Sequence, residues 1–282
     1  MKILAIAALG SLLYACSGPT PPSNTVWQVK GAQLTLSVDS NHGAAIYSLI
    51  EGGFEYVNAV DLGREIQTAY QLEGQGEQNN PTEAGSSKGV PSQVLGVNVV
   101  GKVLQTSVHP SFWVPVNGQT YSPDTLAKKV TVDYNGITNV VRHDVSVTVA
   151  ANHTVGRWEP ITGYMNGTLT QLYSYTNKIL TPVPGVNFPS YRSIDPCQAI
   201  ILATADGAHA IGAFTPTGNP DIGNQCVAYM NINVGGTSQK WDVGIGPDIK
   251  PFSVGTHSWV VYYVVGTLEE VKTKLNTMVT WK

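Results

Sequence analysis

The segment that decides the fold class spans residues 129–150, KVTVDYNGITNVVRHDVSVTVA. Apolar and polar residues alternate on both sides of Asn135-Gly136, and this period of two is typical of a β-strand with one buried face. Asn-Gly is a strong hairpin signal because both residues tolerate a positive φ. The segment therefore predicts two antiparallel strands, at 129–133 and 138–150.

The same alternation recurs along most of the chain. We predict further strands at 26–38, 44–49, 94–108, 167–176, 199–203, 208–214, 227–234, 239–245 and 257–265. Asp206-Gly207 predicts a second hairpin, between two of these strands. The one predicted helix covers 267–278, where apolar residues recur at helical spacing behind a Thr267/Glu270 capping box.

Charged side chains are scarce in this sequence. Its 16 Lys and Arg and 19 Asp and Glu make up 12% of 282 residues, and the net charge is −3. Soluble domains usually carry about 25% charged residues. Binding a phosphate backbone or an anionic membrane surface needs clustered Lys and Arg, and the sequence has no such cluster. We therefore expect no nucleic-acid partner.

The first sixteen residues have the pattern of an export signal. A basic start precedes an apolar run at 3–13 that is too short to span a bilayer, and Leu13-Tyr14-Ala15-Cys16 resembles the bacterial lipoprotein box. We predict a signal peptide at 1–15, a Pro/Ser tether at 16–25 and a single β-sandwich domain at 26–282. The protein is then a bacterial cell-envelope lipoprotein, touching the membrane only through lipid on Cys16. The alternative is an ordinary cleaved signal and a secreted protein.

Two other cysteines, Cys197 and Cys226, are able to pair in an oxidising compartment. A disulfide there would close a loop of about 30 residues and stabilise the fold by about 3 kcal/mol. The alternative is two buried thiols. Because there are no CxxC pairs, we expect no zinc site. We expect no metal or other cofactor, although a structural calcium ion on loop oxygens stays open.

The longest unpatterned stretch is 73–91, rich in Gly, Asn, Gln, Ser and Pro. A long polar loop in a compact β domain is usually either functional or disordered, and we favour function. A strand precedes the loop, and its alternation places Arg64 and Gln67 on opposite faces. We expect both residues, together with Asn80 in the loop, to contact a ligand. The alternative is that they tie a strand end to the loop.

Two motifs in this region, D-x-G-R-x-I-Q at 61–67 and N-P-T-E-A-G at 80–85, resemble those of a group of bacterial secreted proteins. Residues 41–49 and 53–58 are similar to the opening of galactose-mutarotase-like supersandwiches, and 250–266 to their last hairpin. This resemblance implies an all-β fold: a large antiparallel two-sheet supersandwich with one short C-terminal helix. It also implies that the concave face of the sandwich handles sugars.

The family resemblance implies an exported carbohydrate-active protein that takes an oligo- or polysaccharide. Folds of this family include mutarotases, epimerases and domains of glycoside hydrolases and polysaccharide lyases. A mutarotase pattern needs a histidine acid and a glutamate base, although no residue here aligns with a known catalytic position. The catalytic candidates are Glu83, His109 and His143, and the substrate-binding candidates are Arg64, Gln67, Asn80, Trp113, Tyr191 and Arg192.

The reaction class stays open at this point. A glycoside hydrolase needs two carboxylates, for which Glu83, Glu159 and Asp242 are the candidates. A lyase would neutralise a uronate carboxylate and abstract the neighbouring proton, for which Arg64, Asn80 and Tyr191 are the candidates.

Two further alternatives are not enzymes. One is a carbohydrate-binding or surface-adhesion lipoprotein that depends on Trp113 or Trp158. The other is a structural envelope protein without a cleft.

Several candidates also have a purely structural interpretation. Glu83 is in a segment where Lys88 is the only nearby cation, so its carboxylate is either solvated or functional. Trp113, at a strand end, is either a sugar platform or a core residue. Arg142 and Asp144 share one strand face, which predicts a surface ion pair, and His143 points the other way. Six Trp and 13 Tyr against five Phe suit a carbohydrate surface or a protein interface.

Overall fold

The computed structural model describes residues 24–60, 62–73, 80–183, 199–216, 227–234, 238–245 and 250–281. Within these residues the fold is all-β, with three antiparallel sheets and one α-helix. The strands are β1 (Val26–Lys30), β2 (Leu34–Asp39), β3 (Ile46–Glu51), β4 (Phe54–Glu55), β5 (Gln67–Leu72), β6 (Pro81–Thr82), β7 (Gln93–Val100), β8 (Val103–His109), β9 (Ser111–Val116), β10 (Gln119–Tyr121), β11 (Thr125–Val132), β12 (Val140–Val149), β13 (His153–Asn166), β14 (Gln171–Thr176), β15 (Ile179–Pro182), β16 (Ala199–Ala203), β17 (Ala210–Phe214), β18 (Val227–Val234), β19 (Ser238–Ile245), β20 (Lys250–Phe252) and β21 (Gly255–Gly266). The helix α1 covers Leu268–Met278.

The largest sheet has nine strands in the order β15-β14-β16-β17-β21-β12-β11-β8-β7. It contains both predicted hairpins: β11 pairs antiparallel with β12, and β16 with β17. Asn135 adopts φ 55° and Gly136 φ 74°, the positive values that made this dipeptide a turn signal. The predicted strands 94–108 and 26–38 each turn out to be two paired strands. In the first, the break falls where Gly101 takes φ 56°.

The second sheet has eight strands and provides the framework for the candidate site. Its order is β10-β9-β6-β5-β13-β19-β18, and β20 pairs with β13. The 14-residue β13 lies at its centre and was not predicted, because Gly156, Pro160 and Gly163 interrupt the alternation of its sequence. The third sheet, β1-β2-β3-β4, is an addition to the two sheets that we expected.

The core lies between the eight- and nine-stranded sheets. Trp158 of β13 meets Trp259 of β21 with ring centroids 4.2 Å apart, and it stacks on Phe252 at 4.0 Å. Trp241 of β19 meets Tyr263 edge-on at 6.5 Å. Because side chains alternate along each strand, the residues beside these aromatics point to the opposite face of the eight-stranded sheet.

A second apolar cluster covers the outer face of the nine-stranded sheet. There α1 buries Val271 and Leu275 against Tyr262 and Val264 of β21. The helix begins with the predicted capping box, in which Thr267 and Glu270 exchange hydrogen bonds. The helix covers the part of this face that β16, β17 and β21 form.

Candidate functional site

A cleft of about 130 Å³ lies on the outer face of the eight-stranded sheet. Its floor crosses β9, β6, β5, β13 and β19, and short segments before β5 and β6 complete its wall. The lining residues are Gly63, Arg64, Gln67, Ala69, Asn80, Thr82, Trp113, Glu159, Thr162, Tyr164 and Lys240.

Strand register arranges the floor in rows. Thr162 is paired with Gln67 on one side and with Asp242 on the other, and Tyr164 is paired with Lys240. Glu159 is paired with Ala69, and a bulge that contains Pro160 separates Glu159 from Thr162. Residues in one row are about 5 Å apart across strands, and alternate residues along a strand are about 7 Å apart. The floor therefore presents side chains from neighbouring strands at regular spacing.

Two aromatic side chains stand in the cleft. Trp113 packs over Gly63, where a Cβ atom would come within 2.6 Å of the indole Cζ3. Gly63 also has φ +107°, so this position favours glycine for its backbone and for its contact with the ring. Tyr164 and Trp113 are both only partly buried, which leaves ring surface open to the cleft.

Two cations lie against the Tyr164 ring. The Arg64 guanidinium carbon is 4.9 Å from the ring centroid and the Lys240 Nζ is 5.8 Å from it. Arg64 also donates to the Ser238 Oγ at 3.3 Å. The turn that carries Arg64 is held by buried Glu65, which accepts from the Gly63 N–H at 2.8 Å.

Glu159 lines the cleft and Asp242 lies buried beneath it, and each carboxylate is paired with a cation. Glu159 accepts from the Arg157 Nη2 at 2.5 Å, and Asp242 lies 3.3 Å from the Lys240 Nζ. Asp242 is almost fully buried, and burial raises its pKa to about 6 against the opposing charge of Lys240, with Glu159 adding to the rise. A carboxyl group with such a pKa exchanges protons near neutral pH, which is the property an acid–base catalyst needs.

Four of the predicted substrate-binding residues are brought together here: Arg64, Gln67, Asn80 and Trp113. The expectation that Arg64 and Gln67 face opposite ways is wrong, because β5 begins only at Gln67 and Arg64 lies in the preceding turn. The Gln67 Oε1 accepts from the Ala84 N–H at 2.9 Å, and the Asn80 carbonyl accepts from the Trp113 N–H at 2.8 Å.

The three predicted catalytic residues lie elsewhere. Glu83 and His143 are fully buried between the sheets, and His109, at the end of β8, has its Nδ1 2.8 Å from the Asp124 carbonyl oxygen. None of the three lines the cleft. Burial holds the pKa of His143 well below its usual range, and the charge of Lys128 adds to that shift.

Glu83 has a cationic neighbour that the sequence did not suggest. Its Oε1 lies 2.5 Å from the Nζ of Lys128, and both side chains have no exposed surface. Its Oε2 accepts from the Thr68 N–H at 3.1 Å, and the Lys128 Nζ also donates to the Ala44 carbonyl at 2.5 Å. Lys128 reaches Glu83 from β11, across the sandwich. This pair therefore joins the two sheets from inside.

Other sequence predictions have different outcomes. The surface ion pair of Arg142 with Asp144 is confirmed, at 2.6 Å. Trp158 is a core residue, so it is not a sugar platform. Predictions for Cys16, Tyr191, Arg192, Cys197 and Cys226 lie outside the described residues.

Sequence reasoning missed Lys240 and Thr162 as members of the site. The alternation of 239–245 contained the signal for Lys240, since it places Lys240 and Asp242 on one face. Thr162 had no comparable signal, because its strand was not predicted.

The described residues contain no group of three or more His, Cys, Asp or Glu side chains arranged to hold a metal ion. Among the same residues, no helix is long and apolar enough to cross a membrane.

Comparison with known proteins gives the fold but no close relative. No protein-family model matches the sequence, and no curated protein does. Among solved structures, a galactose mutarotase related enzyme from Lactobacillus acidophilus is similar over 86% of this chain and 98% of its own, with 10% identity and a TM-score of 0.51. A galactose mutarotase-like protein from Clostridium acetobutylicum matches over 86% and 95%, with 7% identity and a TM-score of 0.52.

An alpha-galactosidase from Geobacillus stearothermophilus matches over 87% of this chain and 40% of its own, with 8% identity and a TM-score of 0.54. These similarities establish a galactose-mutarotase-like sandwich, the fold that the family resemblance implied. At such low identity they show the fold alone.

Proposed function

We propose that the protein binds a saccharide in this cleft and carries out acid–base chemistry on it with Asp242 and Glu159. The observation that carries the proposal is the convergence of aromatic rings, amides and the Glu159 carboxylate in one cleft, with Asp242 buried beneath it beside Lys240. Among proteins of similar fold, one is described as galactose mutarotase related and another as an alpha-galactosidase. A saccharide is therefore the first class of ligand to test.

The aromatic and polar groups supply the two kinds of contact that a sugar ring uses. Trp113 and Tyr164 offer flat apolar surface for the C–H face of a ring. Gln67, Asn80 and Thr162 offer donors and acceptors for its hydroxyl groups. Such a mixture of apolar surface and a few placed polar groups is typical of small-ligand sites.

The two carboxyl groups divide the acid and base roles. Asp242, with its pKa raised to about 6, holds a proton beneath the cleft floor, and its cross-strand neighbour Thr162, which lines the cleft, can relay it to a glycosidic or ring oxygen. The Glu159 carboxylate, paired with Arg157, accepts a proton from a water or hydroxyl on the other side. The proton lost by Asp242 and the one gained by Glu159 balance the step. These roles replace our expectation for Glu83, His109 and His143.

The experiment is a panel of neutral and acidic oligosaccharides, assayed for binding, reducing-end release, anomer interconversion and unsaturated-uronate formation. We expect Trp113→Ala to weaken binding and Asp242→Asn to abolish turnover while binding persists. Removing a general acid usually costs about 10²–10⁴ in rate. Absence of binding across the panel contradicts the proposal.

A non-catalytic carbohydrate-binding module is the second candidate. The observation that favours it is the short ion pair of Glu159 with Arg157, which holds this carboxylate in place. Saturable binding that depends on Trp113, with no product in any assay and no effect of Asp242→Asn, would select this alternative.

We also propose that the chain is exported and anchored by lipid on Cys16, on the basis of residues 1–16 alone. Expression with a labelled fatty acid in a bacterial host is the test. Label should appear in the wild type and be absent from Cys16→Ser, which should be released from the membrane fraction. Equal labelling of the two proteins would contradict this proposal.

A further inference from the structure

A histidine lies next to the turn that carries Arg64 into the cleft. His42 ends a short 3₁₀ helix, and its side chain is 23% exposed. Its Nδ1 is 2.7 Å from the Oδ1 of Asp39, and the same oxygen accepts from the His42 backbone N–H at 2.8 Å. The imidazole ring also stacks on Tyr47, with ring centroids 5.0 Å apart. The imidazole is therefore held in place by a carboxylate and by an aromatic ring.

The other ring nitrogen of His42 faces the turn. The His42 Nε2 is 3.9 Å from the Oε1 of Glu65, a side chain with no exposed surface. The Oε2 of the same carboxylate accepts from the Gly63 N–H at 2.8 Å. Glu65 therefore connects the imidazole to the glycine over which Trp113 packs. A buried carboxylate needs donors or opposite charge around it, and His42 supplies part of that surrounding.

The chain after His42 packs tightly against the segments that form the cleft. Gly43 has φ +55°, and a Cβ atom at this position would collide with the carbonyl oxygen of Glu83. Ile46 exchanges two backbone hydrogen bonds with Ile66, at 3.0 and 3.1 Å. These contacts fix the backbone on both sides of the imidazole–carboxylate contact. A change in the His42 side chain should therefore act on the turn through Glu65.

We infer that His42 is a positioning residue of the saccharide site. Through Glu65 it holds the turn at Gly63 in the conformation that brings Arg64 and the Trp113 ring to the cleft. His42 is not one of the described residues that line the cleft, so its effect on a ligand is indirect. The inference rests on the proposed function for its ligand, whereas the contact of His42 with the turn can be tested without a ligand.

Two variants that differ by one methylene group test this inference. His42→Asn keeps a donor near the Asp39 carboxylate and withdraws from Glu65, whereas the longer side chain of His42→Gln reaches toward Glu65. The first readout is the backbone amide signal of Gly63 in proton–nitrogen correlation NMR spectra of the folded proteins. We expect His42→Asn to shift this signal and His42→Gln to return it most of the way to its wild-type position.

The second readout is the affinity for the tightest-binding oligosaccharide of the panel, measured by titration calorimetry. His42→Asn should weaken binding about three- to tenfold, the effect of one lost hydrogen bond, and His42→Gln should recover most of this loss. The control is His153→Asn, because the His153 Nδ1 is 2.8 Å from the Glu73 Oε1 and its side chain is 18% exposed. This control alters a similar histidine–carboxylate pair and should change neither the Gly63 signal nor the affinity.

The outcomes separate this inference from the proposed function. An unchanged Gly63 signal in His42→Asn overturns the inference, whether or not a saccharide binds. A shifted signal with unchanged affinity also overturns it, because the turn would then not govern binding. If the wild type binds no saccharide, the proposed function is overturned, and the Gly63 signal alone decides whether His42 positions the turn.

Discussion

Two carboxylate–lysine pairs lie on opposite faces of the same eight-stranded sheet. Glu83 and Lys128 are 2.5 Å apart, and neither side chain is exposed. Asp242 and Lys240 are 3.3 Å apart, and the lysine is 20% exposed at the wall of a cleft. The chemical groups are the same, but only the second pair has a member, Lys240, that lines the cleft.

The contrast shows that burial decides what a charged pair does. The closed pair, Glu83 and Lys128, is shielded from water. Each charge therefore depends on the other and on backbone groups such as the Thr68 N–H. In the open pair, Lys240 lines the cleft and Asp242 lies buried beneath it, so a ligand that contacts Lys240 changes the charge balance of the pair. We therefore assign Glu83 and Lys128 to the architecture and Asp242 and Lys240 to the site.

Breaking the closed pair should have the largest effect on stability. Lys128→Met leaves the Glu83 carboxylate buried without its cation and should cost about 3–5 kcal/mol of unfolding free energy in urea. Glu83→Gln/Lys128→Met, which removes both charges, should recover most of that loss. Lys129→Met, at the exposed neighbouring position, is the control and should change stability by less than about 0.5 kcal/mol. A Lys128→Met protein as stable as this control would refute the structural assignment.

Local sequence patterns do not reveal which strands face each other across the sandwich. The pairing of Glu83 with Lys128 could therefore not be predicted. The hairpins, the helix with its cap and the sandwich class were predictable from local alternation, turn residues and motifs. Arg64, Gln67 and Asn80 were found because they lie in or beside one polar loop, and Trp113 because it lies at a strand end. The acid–base pair was harder, since Glu159 and Asp242 meet only through the register of β13 and β19.

The protonation of Asp242, in the open pair, should affect the pH dependence of the unfolding free energy. The pKa of Asp242 rises from an unfolded value near 3.8 to about 6 on folding, so the folded protein holds the extra proton in that range. Unfolding free energy should therefore fall as pH rises from about 4 to 6, by roughly 1–3 kcal/mol, relative to Asp242→Asn. Urea unfolding of both proteins between pH 4 and 7 measures this difference in unfolding free energy. A difference that grows with pH, or stays constant, would show that the carboxyl group is not raised.

Smaller effects should follow from disturbing the aromatic wall of the open site. Gly63→Ala places a Cβ against Trp113 at a φ of +107° and should cost about 1–3 kcal/mol of stability while weakening saccharide binding several-fold. Gly118→Ala is the matched control, with φ +78° and no atom within 4 Å of the new Cβ. It should lose stability through the backbone alone. Equal saccharide binding by both variants would show that Trp113 does not contact the ligand.

The smallest effect is expected at a third pair, on the surface of the nine-stranded sheet. Arg142 and Asp144 are 2.6 Å apart, but each side chain is about 30% exposed. Asp144→Asn should cost less than about 1 kcal/mol in urea unfolding, and this loss should shrink further in high salt. A cost near that of Lys128→Met would mean that burial does not set the difference between these pairs.

The most direct test of the account compares the two faces of the sheet in one assay. Turnover of the best saccharide is measured per folded molecule for Asp242→Asn and for Glu83→Gln/Lys128→Met. We expect the first variant to lose about 10²-fold or more in turnover and the second to keep activity within a few-fold of the wild type. Loss of turnover in the folded double variant, with activity retained by Asp242→Asn, would contradict the assignment of the two pairs.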